Sequence, residues 1–200
     1  METNGGTVQV ELIEQALRKL MADPSTAVRT AASEAYDTLQ ARRSADSFMA
    51  ELRTGGIEAR IRVVYTAARM GGHEGISIML GALDDAEAEV RAVAARELAA
   101  FPAVPVLKAM VDRLPKEKGV VLGNLIETLG GTRRKELAPV VERYLSDPDP
   151  EVRAKAVIAY ARTAEMPWPL LMQNAASPNE TVRAAAARAL GEWTAPAPPR

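Results

Sequence analysis

Asp23-Pro24-Ser25-Thr26-Ala27-Val28-Arg29-Thr30-Ala31-Ala32 is one copy of a pattern that recurs along this 200-residue chain. Its Val-Arg pair returns as Val90-Arg91, Val152-Arg153 and Val182-Arg183. The first three valines are 62 residues apart and the last two 30 apart. If 62 is two periods of 31, weaker copies belong at Ala59-Arg60 and Val121-Leu122, and each of these opens an apolar stretch. Such a period describes a stack of small supersecondary units rather than a globule around one central core.

With each valine-type position as zero, four columns stay apolar through all six copies. Position +4 reads Ala32, Val63, Ala94, Leu125, Ala156 and Ala186, and position +8 reads Tyr36, Ala67, Leu98, Leu129, Tyr160 and Leu190. Position −7 runs from Met21 to Ala175, and position −11 from Leu17 to Leu171. Offsets 0, +4 and +8 share one helical face, and −11 and −7 share a face of an earlier helix. Each unit is therefore two helices, the first ending near −6 and the second starting near −3. Turn residues separate them, as in Asp84-Asp85-Ala86, Asp147-Pro148-Asp149-Pro150 and Ser177-Pro178-Asn179, where Asp and Ser supply capping oxygens. Glu58, Glu87, Glu117, Glu151 and Glu180 are expected in the first turn of the second helices, facing the positive end of the dipole. Gly71-Gly72, Gly130-Gly131 and Gly191 are expected to end those helices.

Asp-Pro-x-x-x-Val-Arg-x-x-Ala-Ala followed by Ala-Leu-Gly, clearest at Asp23 to Ala32 and from Val182-Arg183 to Ala189-Leu190-Gly191, resembles the short bacterial and archaeal HEAT-like repeat, also found in phycobilin lyases. The resemblance implies an all-α, right-handed α-solenoid of about six two-helix repeats, monomeric or weakly associated. The units are placed at about 8–42, 43–71, 72–102, 103–132, 133–164 and 165–192, one repeat domain over 8–192. Residues 1–7 are expected to be disordered, and 193–200 to form a Pro-rich tail ending Ala195-Pro196-Ala197-Pro198-Pro199-Arg200. In similar repeats the arginine after the valine bonds the turn Asp or loop carbonyls of a neighbouring repeat. That implies a ladder through Arg29, Arg60, Arg91, Arg153 and Arg183, broken at Leu122, with a local irregularity there that Gly119 and Gly123 reinforce.

Composition narrows the function classes. There is no cysteine, hence no disulfide, thiolate metal site or thiol nucleophile. No run approaches the length of a membrane span, and Met1-Glu2-Thr3-Asn4-Gly5-Gly6 does not read as a secretory signal, so a cytoplasmic location is the expectation. A net charge of −1 argues against general nucleic-acid coating. The single histidine, His73, stands beside Glu74, whereas iron-dependent HEAT-repeat hydroxylases use several His-Glu pairs; one pair does not build that site. No catalytic residue, metal or cofactor is expected.

What remains is a surface. If 0, +4 and +8 face the core, +3, +6 and +10 face outward. These positions gather two basic clusters: Arg62, Arg69 and Arg96 around Tyr65, and Lys155, Arg162 and Arg188 around Ile158. Arginine with tyrosine is a composition enriched at interface hot spots. The expectation is a concave face that holds an acidic or mixed segment of a partner protein, with the chain as scaffold or adaptor. A nucleic-acid binder of the base-repair type and a phycobilin-lyase-like or chaperone-type enzyme stand as alternatives. Trp168 and Trp193 are expected to close the apolar end of the stack, and the N-terminal helix from Val8 to Ala22, with Glu11, Glu14, Gln15, Arg18 and Lys19, to serve as a polar cap.

Overall fold

The period of 31 becomes helix in the computed structural model, which describes residues 4–192. Among the described residues there are eleven α-helices, three single 3-10 turns and no strand. The chain divides into two compact units, Met1–Thr54 and Gly55–Arg200.

The first unit holds α1 (Asn4–Leu20) and α2 (Thr26–Thr54). Helix already runs through residues 4–7, which were expected to be disordered, while residues 1–3 lie outside the described part. α2 is unbroken for 29 residues, so the expected repeat boundary at 42/43 falls in the middle of a helix. The reason lies in Leu39-Gln40-Ala41-Arg42-Arg43-Ser44-Ala45-Asp46, which has neither glycine nor proline and no competing turn signal. Glu14 ties the two helices together: it accepts from Arg18 at 2.6 Å, from the Tyr36 hydroxyl at 3.1 Å and from Arg43 at 2.7 Å. α1 is not the polar cap expected, because Leu12 and Ile13 are 59% and 51% exposed.

The second unit is an all-α stack in two layers. α3 (Ile57–Met70), α5 (Ala88–Glu97), α7 (Gly119–Gly131), α9 (Pro150–Thr163) and α11 (Glu180–Glu192) form one layer in that order. α4 (Gly72–Ala82), α6 (Val104–Arg113), α8 (Ala138–Glu142) and α10 (Trp168–Ala175) form the other. The columns explain the layers: Val63, Ala94, Leu125, Ala156 and Ala186, all at +4, are buried, as are Met79, Met110, Val141 and Leu171 at −11. Burying each of the larger side chains contributes about 1.5–3 kcal/mol.

The helix starts are built by short polar side chains. Asp85, Asp147 and Asp149 each accept from the backbone N–H two residues on, at 2.8–2.9 Å, and Asn179 caps Val182 at 3.2 Å. The arginine column completes those turns. Arg91, Arg153 and Arg183 each donate one NH1 to the two carbonyls five and six residues earlier, at 2.6–3.1 Å, and Arg29 does the same in the first unit. These carbonyls belong to the arginine's own turn and not, as expected, to a neighbour's. Only carboxylates carry the ladder between repeats: Arg60 reaches Asp85 at 2.7 Å, and Arg91 grips Glu117 through two bonds of 2.8 and 3.1 Å. Arg113 joins Glu117 at 2.6 Å and also pairs with Asp84. Glu117 is thus a 6% exposed ion-pair centre and not a first-turn residue of α7; likewise Glu87 precedes α5, whose first turn carries Glu89.

The glycines divide into two roles. Gly71 and Gly72 both take φ of +61°; Gly71 ends α3, as expected, and Gly72 opens α4. α7 ends at Gly131, the second glycine of the expected pair, with Thr132 after it and Arg133 at the left-handed φ of 55°. Gly130 permits a close approach instead, since a Cβ there would lie 2.4 Å from the Ala159 Cβ and 2.5 Å from its Cα. Gly191 is helical within α11. The irregularity expected in the fourth unit lies just before Leu122: Gly119 opens α7 with a left-handed φ of +51° after a 3-10 turn at Leu114–Lys116, while Leu122 itself is 3% exposed and α7 runs on unbroken. An arginine gives way there to a core side chain. Trp168, expected to close the apolar end, is 45% exposed at the start of α10; Trp193 and the Pro-rich tail lie outside the described residues.

Two stability measurements check this account. Gly130→Ala is expected to lose about 2–3 kcal/mol in urea unfolding, because α9 meets the new methyl through its backbone. A loss below about 0.5 kcal/mol would show that α7 and α9 are not held at this spacing. Glu117→Gln leaves Arg91 and Arg113 without their shared anion and is expected to cost about 2–3 kcal/mol at neutral pH. Burial raises the Glu117 carboxyl, but the two arginines outweigh it and hold it below the ordinary value of 4.5. Its contribution is therefore complete above that value and fades as the pH falls through the lowered one, so the gap between wild type and Glu117→Gln should close on acidification.

Candidate basic face of the second unit

The layer of α3, α5, α7, α9 and α11 turns its +3, +6 and +10 positions away from the buried columns, and all eight sequence-predicted site residues fall on it. They line three hollows, and the grouping differs from the expected two clusters. Arg62, Tyr65 and Arg69 line the first, of about 510 Å³, with Ala68, Ala100 and Phe101 as apolar lining and Thr66 and Glu97 as polar lining. Arg96 and Arg162 line the second, of about 370 Å³, with Asn124, Glu127 and Thr128. Lys155, Ile158 and Arg188 line the third, of about 520 Å³, together with Glu127, Glu151 and Glu180. Arg162 therefore stands with Arg96 and not with Lys155 and Arg188.

Ion pairing separates these residues further. Lys155 donates to Asn124 Oδ1 at 2.9 Å and pairs with Glu127 at 2.9 Å. Arg162 pairs with Glu192 at 3.2 Å. Arg96 donates to the Tyr65 hydroxyl at 2.8 Å, lies 5.9 Å from the centre of that ring and meets Glu97 at 3.2 Å. The Tyr65 hydroxyl first, and Glu97 second, raise the Arg96 guanidinium above its ordinary value. Arg62, Arg69 and Arg188 are exposed and have no acidic partner among the described residues. The acidic rim of the third hollow and the Phe101 wall of the first were not foreseen. Phe101 lies at +11 in a 3-10 exit, outside the outward columns, and Glu151 and Glu180 read in the sequence as dipole partners alone.

The matched region of the chain lies in this second unit. Residues 107–191 match the family model described as HEAT repeats. The match covers α7, α9 and α11, while Arg62, Tyr65, Arg69 and Arg96 stand before it. Among solved structures, human deoxyhypusine hydroxylase in complex with glycerol is similar, with a TM-score of 0.57 at 20% identity over 77% of this chain and 64% of that one. The likeness is one of fold, and this chain spans less than two thirds of that protein's length. An engineered protein aligns at 20% identity and a TM-score of 0.46, covering 90% of this chain and 95% of that one. No curated protein matches by sequence.

The chemistry of this face is charge and shape. His73 is exposed at the start of α4, and among the described residues no three His, Cys, Asp or Glu side chains gather to hold a metal ion. No helix among them is long and apolar enough to cross a membrane.

Proposed function

We propose that this chain is a non-enzymatic scaffold or adaptor that holds an acidic or mixed segment of another protein against the α3–α5 end of its basic face. The observation that carries this reading is the contrast in ion pairing: Lys155 and Arg162 are matched by Glu127 and Glu192, whereas Arg62 and Arg69 border an apolar-walled groove with no carboxylate of the described chain assigned to them. An unmatched arginine pair beside buriable apolar surface is the composition of an interface hot spot. HEAT repeats over residues 107–191 support an interaction role in general terms. The later part of the face disfavours a continuous nucleic-acid backbone track, because Glu127, Glu151 and Glu180 stand among its cations and would repel phosphate.

Affinity capture from host lysate with wild type and Arg62→Glu/Arg69→Glu tests this reading. A protein held by wild type and lost from the variant is the expected result. The same protein held equally by both would remove the site from this groove. Capture of nucleic acid alone, with affinity falling steeply with salt, would replace the adaptor with a nucleic-acid binder.

A further inference from the structure

Every helix–helix contact in the layer of the second unit has two sides, and the repeat offsets assign them. The earlier helix offers +2, +5 and +9; the later one offers +3 and +7. Asn124 at +3 bonds the carbonyl of Ala92 at +2, and Thr128 at +7 that of Ala95 at +5, both at 3.1 Å. Gly130 at +9 meets Ala159 at +7. Offset +5 is accordingly buried in α3, α5, α7 and α9, as Val64, Ala95, Ile126 and Val157. In α11 the same offset is the exposed Ala187. Ala184 at +2 and Gly191 at +9 are exposed with it, and a Cβ on Gly191 would meet nothing within 4 Å. α11 thus presents the earlier helix's side, uncovered among the described residues.

The first unit presents the converse side. Ala31 and Ala35, at +3 and +7 of α2, are exposed, whereas Ala185 and Ala189 at those offsets of α11 are buried. Beside them Leu17, Leu20, Ala27 and Val28 line an apolar groove of about 390 Å³. Val28 is only half-buried, while Val90, Val152 and Val182 at the same offset are buried.

Charge selects the occupant. Residues of equal offset face each other across a contact, as Tyr65 and Arg96 do at +6 and Arg162 and Glu192 at +10. At +6, α11 carries the exposed Arg188 and α2 the exposed Glu34. The carboxylate ladder runs from +1 to −5 of the next repeat, as Arg60 reaches Asp85 at 2.7 Å. Arg183 stands at +1 of α11 and bonds only the carbonyls of its own turn among the described residues. Asp23 stands at −5 before α2 and accepts from the Ser25 N–H as Asp85 does from that of Glu87. Both prospective pairs are of opposite sign.

We infer that this chain docks head to tail on a second copy of itself. α11 of one copy receives α2 of the next in the register in which α9 receives α11. Ala184, Ala187 and Gly191 meet Ala31 and Ala35, Arg188 lies over Glu34, and Arg183 over Asp23. Such a contact continues the nearest-neighbour packing of the repeats across two chains. It is heterologous, so each added copy leaves one side open for another. None of these residues lines the α3–α5 groove.

Sedimentation velocity of the full chain over a concentration series tests this. Wild type is expected to gain mass with concentration. Ala187→Arg obstructs the α11 side alone and Ala31→Arg the α2 side alone, each at an exposed position. Either variant by itself is expected to associate at least tenfold more weakly than wild type. An equal mixture of the two is expected to form a dimer and stop there, because one intact contact remains between them, a gain that an unfolded variant cannot give. Arg188→Glu alone is expected to weaken association at least fivefold, and Glu34→Arg/Arg188→Glu to restore it to within threefold of wild type. Wild type that stays a single copy, assembly indifferent to Ala187→Arg or Ala31→Arg, no dimer in the mixture, or no restoration by the exchanged pair overturns this contact.

Discussion

Close contact between consecutive helices of one layer is the constraint on which the second unit depends. α7 meets α9 at Gly130, where even a methyl would collide with Ala159, and the +4 column beside this contact is valine, alanine or leucine and buried throughout. Small side chains bring backbones near enough for cross-helix hydrogen bonds. Asn124 donates to the Ala92 carbonyl at 3.1 Å and the buried Thr128 to the Ala95 carbonyl at 3.1 Å. Both carbonyls already lie within a helix, so these side chains add a bond between helices without breaking one inside. Large apolar residues at −11 and −7 then fill the space between the layers, and the stack is rigid because each repeat is locked to the next.

The arginine after the valine serves the turns before it serves the stack. In these half-exposed turns each such bond contributes about 0.5–1.5 kcal/mol net, and one guanidinium covers two carbonyls while keeping donors to spare. Arg91 uses its spare donors on Glu117, which Arg113 also holds. Leu122 removes this device from one turn. The local core grows by a leucine there, and the helix persists because its remaining neighbours, Val121, Leu125 and Ile126, are buried as well.

The periodicity made the helices, their turns and the outward face of the second layer legible, because each depends on residues at fixed offsets. What escaped depends on meetings across the period. Nothing within residues 39–46 marks a repeat boundary, and the continuous α2 follows from that lack of a breaker rather than from any positive signal. Gly130 reads as a helix stop in one dimension and becomes a contact point only when Ala159 is placed against it. Glu117 looks like any first-turn acid until Arg91, 26 residues earlier, is brought to it. The basic face was legible as a set of eight residues, but its division into three hollows was not, since the carboxylates that divide it sit at different offsets.

That division has a simple origin in the rows. Residues one period apart stand side by side in the layer, so each outward cation faces the residue about 31 positions away. Lys155 faces Asn124 and bonds it at 2.9 Å, and Arg162 faces Glu192 at 3.2 Å. Tyr65 faces Arg96 and receives its bond at 2.8 Å. Arg62 instead faces Val93, and Arg69 faces Ala100, neither of which offers an acceptor side chain. The polar row that runs across the later helices therefore stops at α5; of the two cations beyond it, Arg69 donates only to Thr66 on its own helix, at 3.4 Å, and neither meets a carboxylate among the described residues. An isolated guanidinium at the surface is satisfied by water, so no fold requirement puts it beside an apolar wall. Ala100, which faces Arg69, also lines the first hollow beside Phe101, so unpaired charge and accessible apolar surface meet where this row ends.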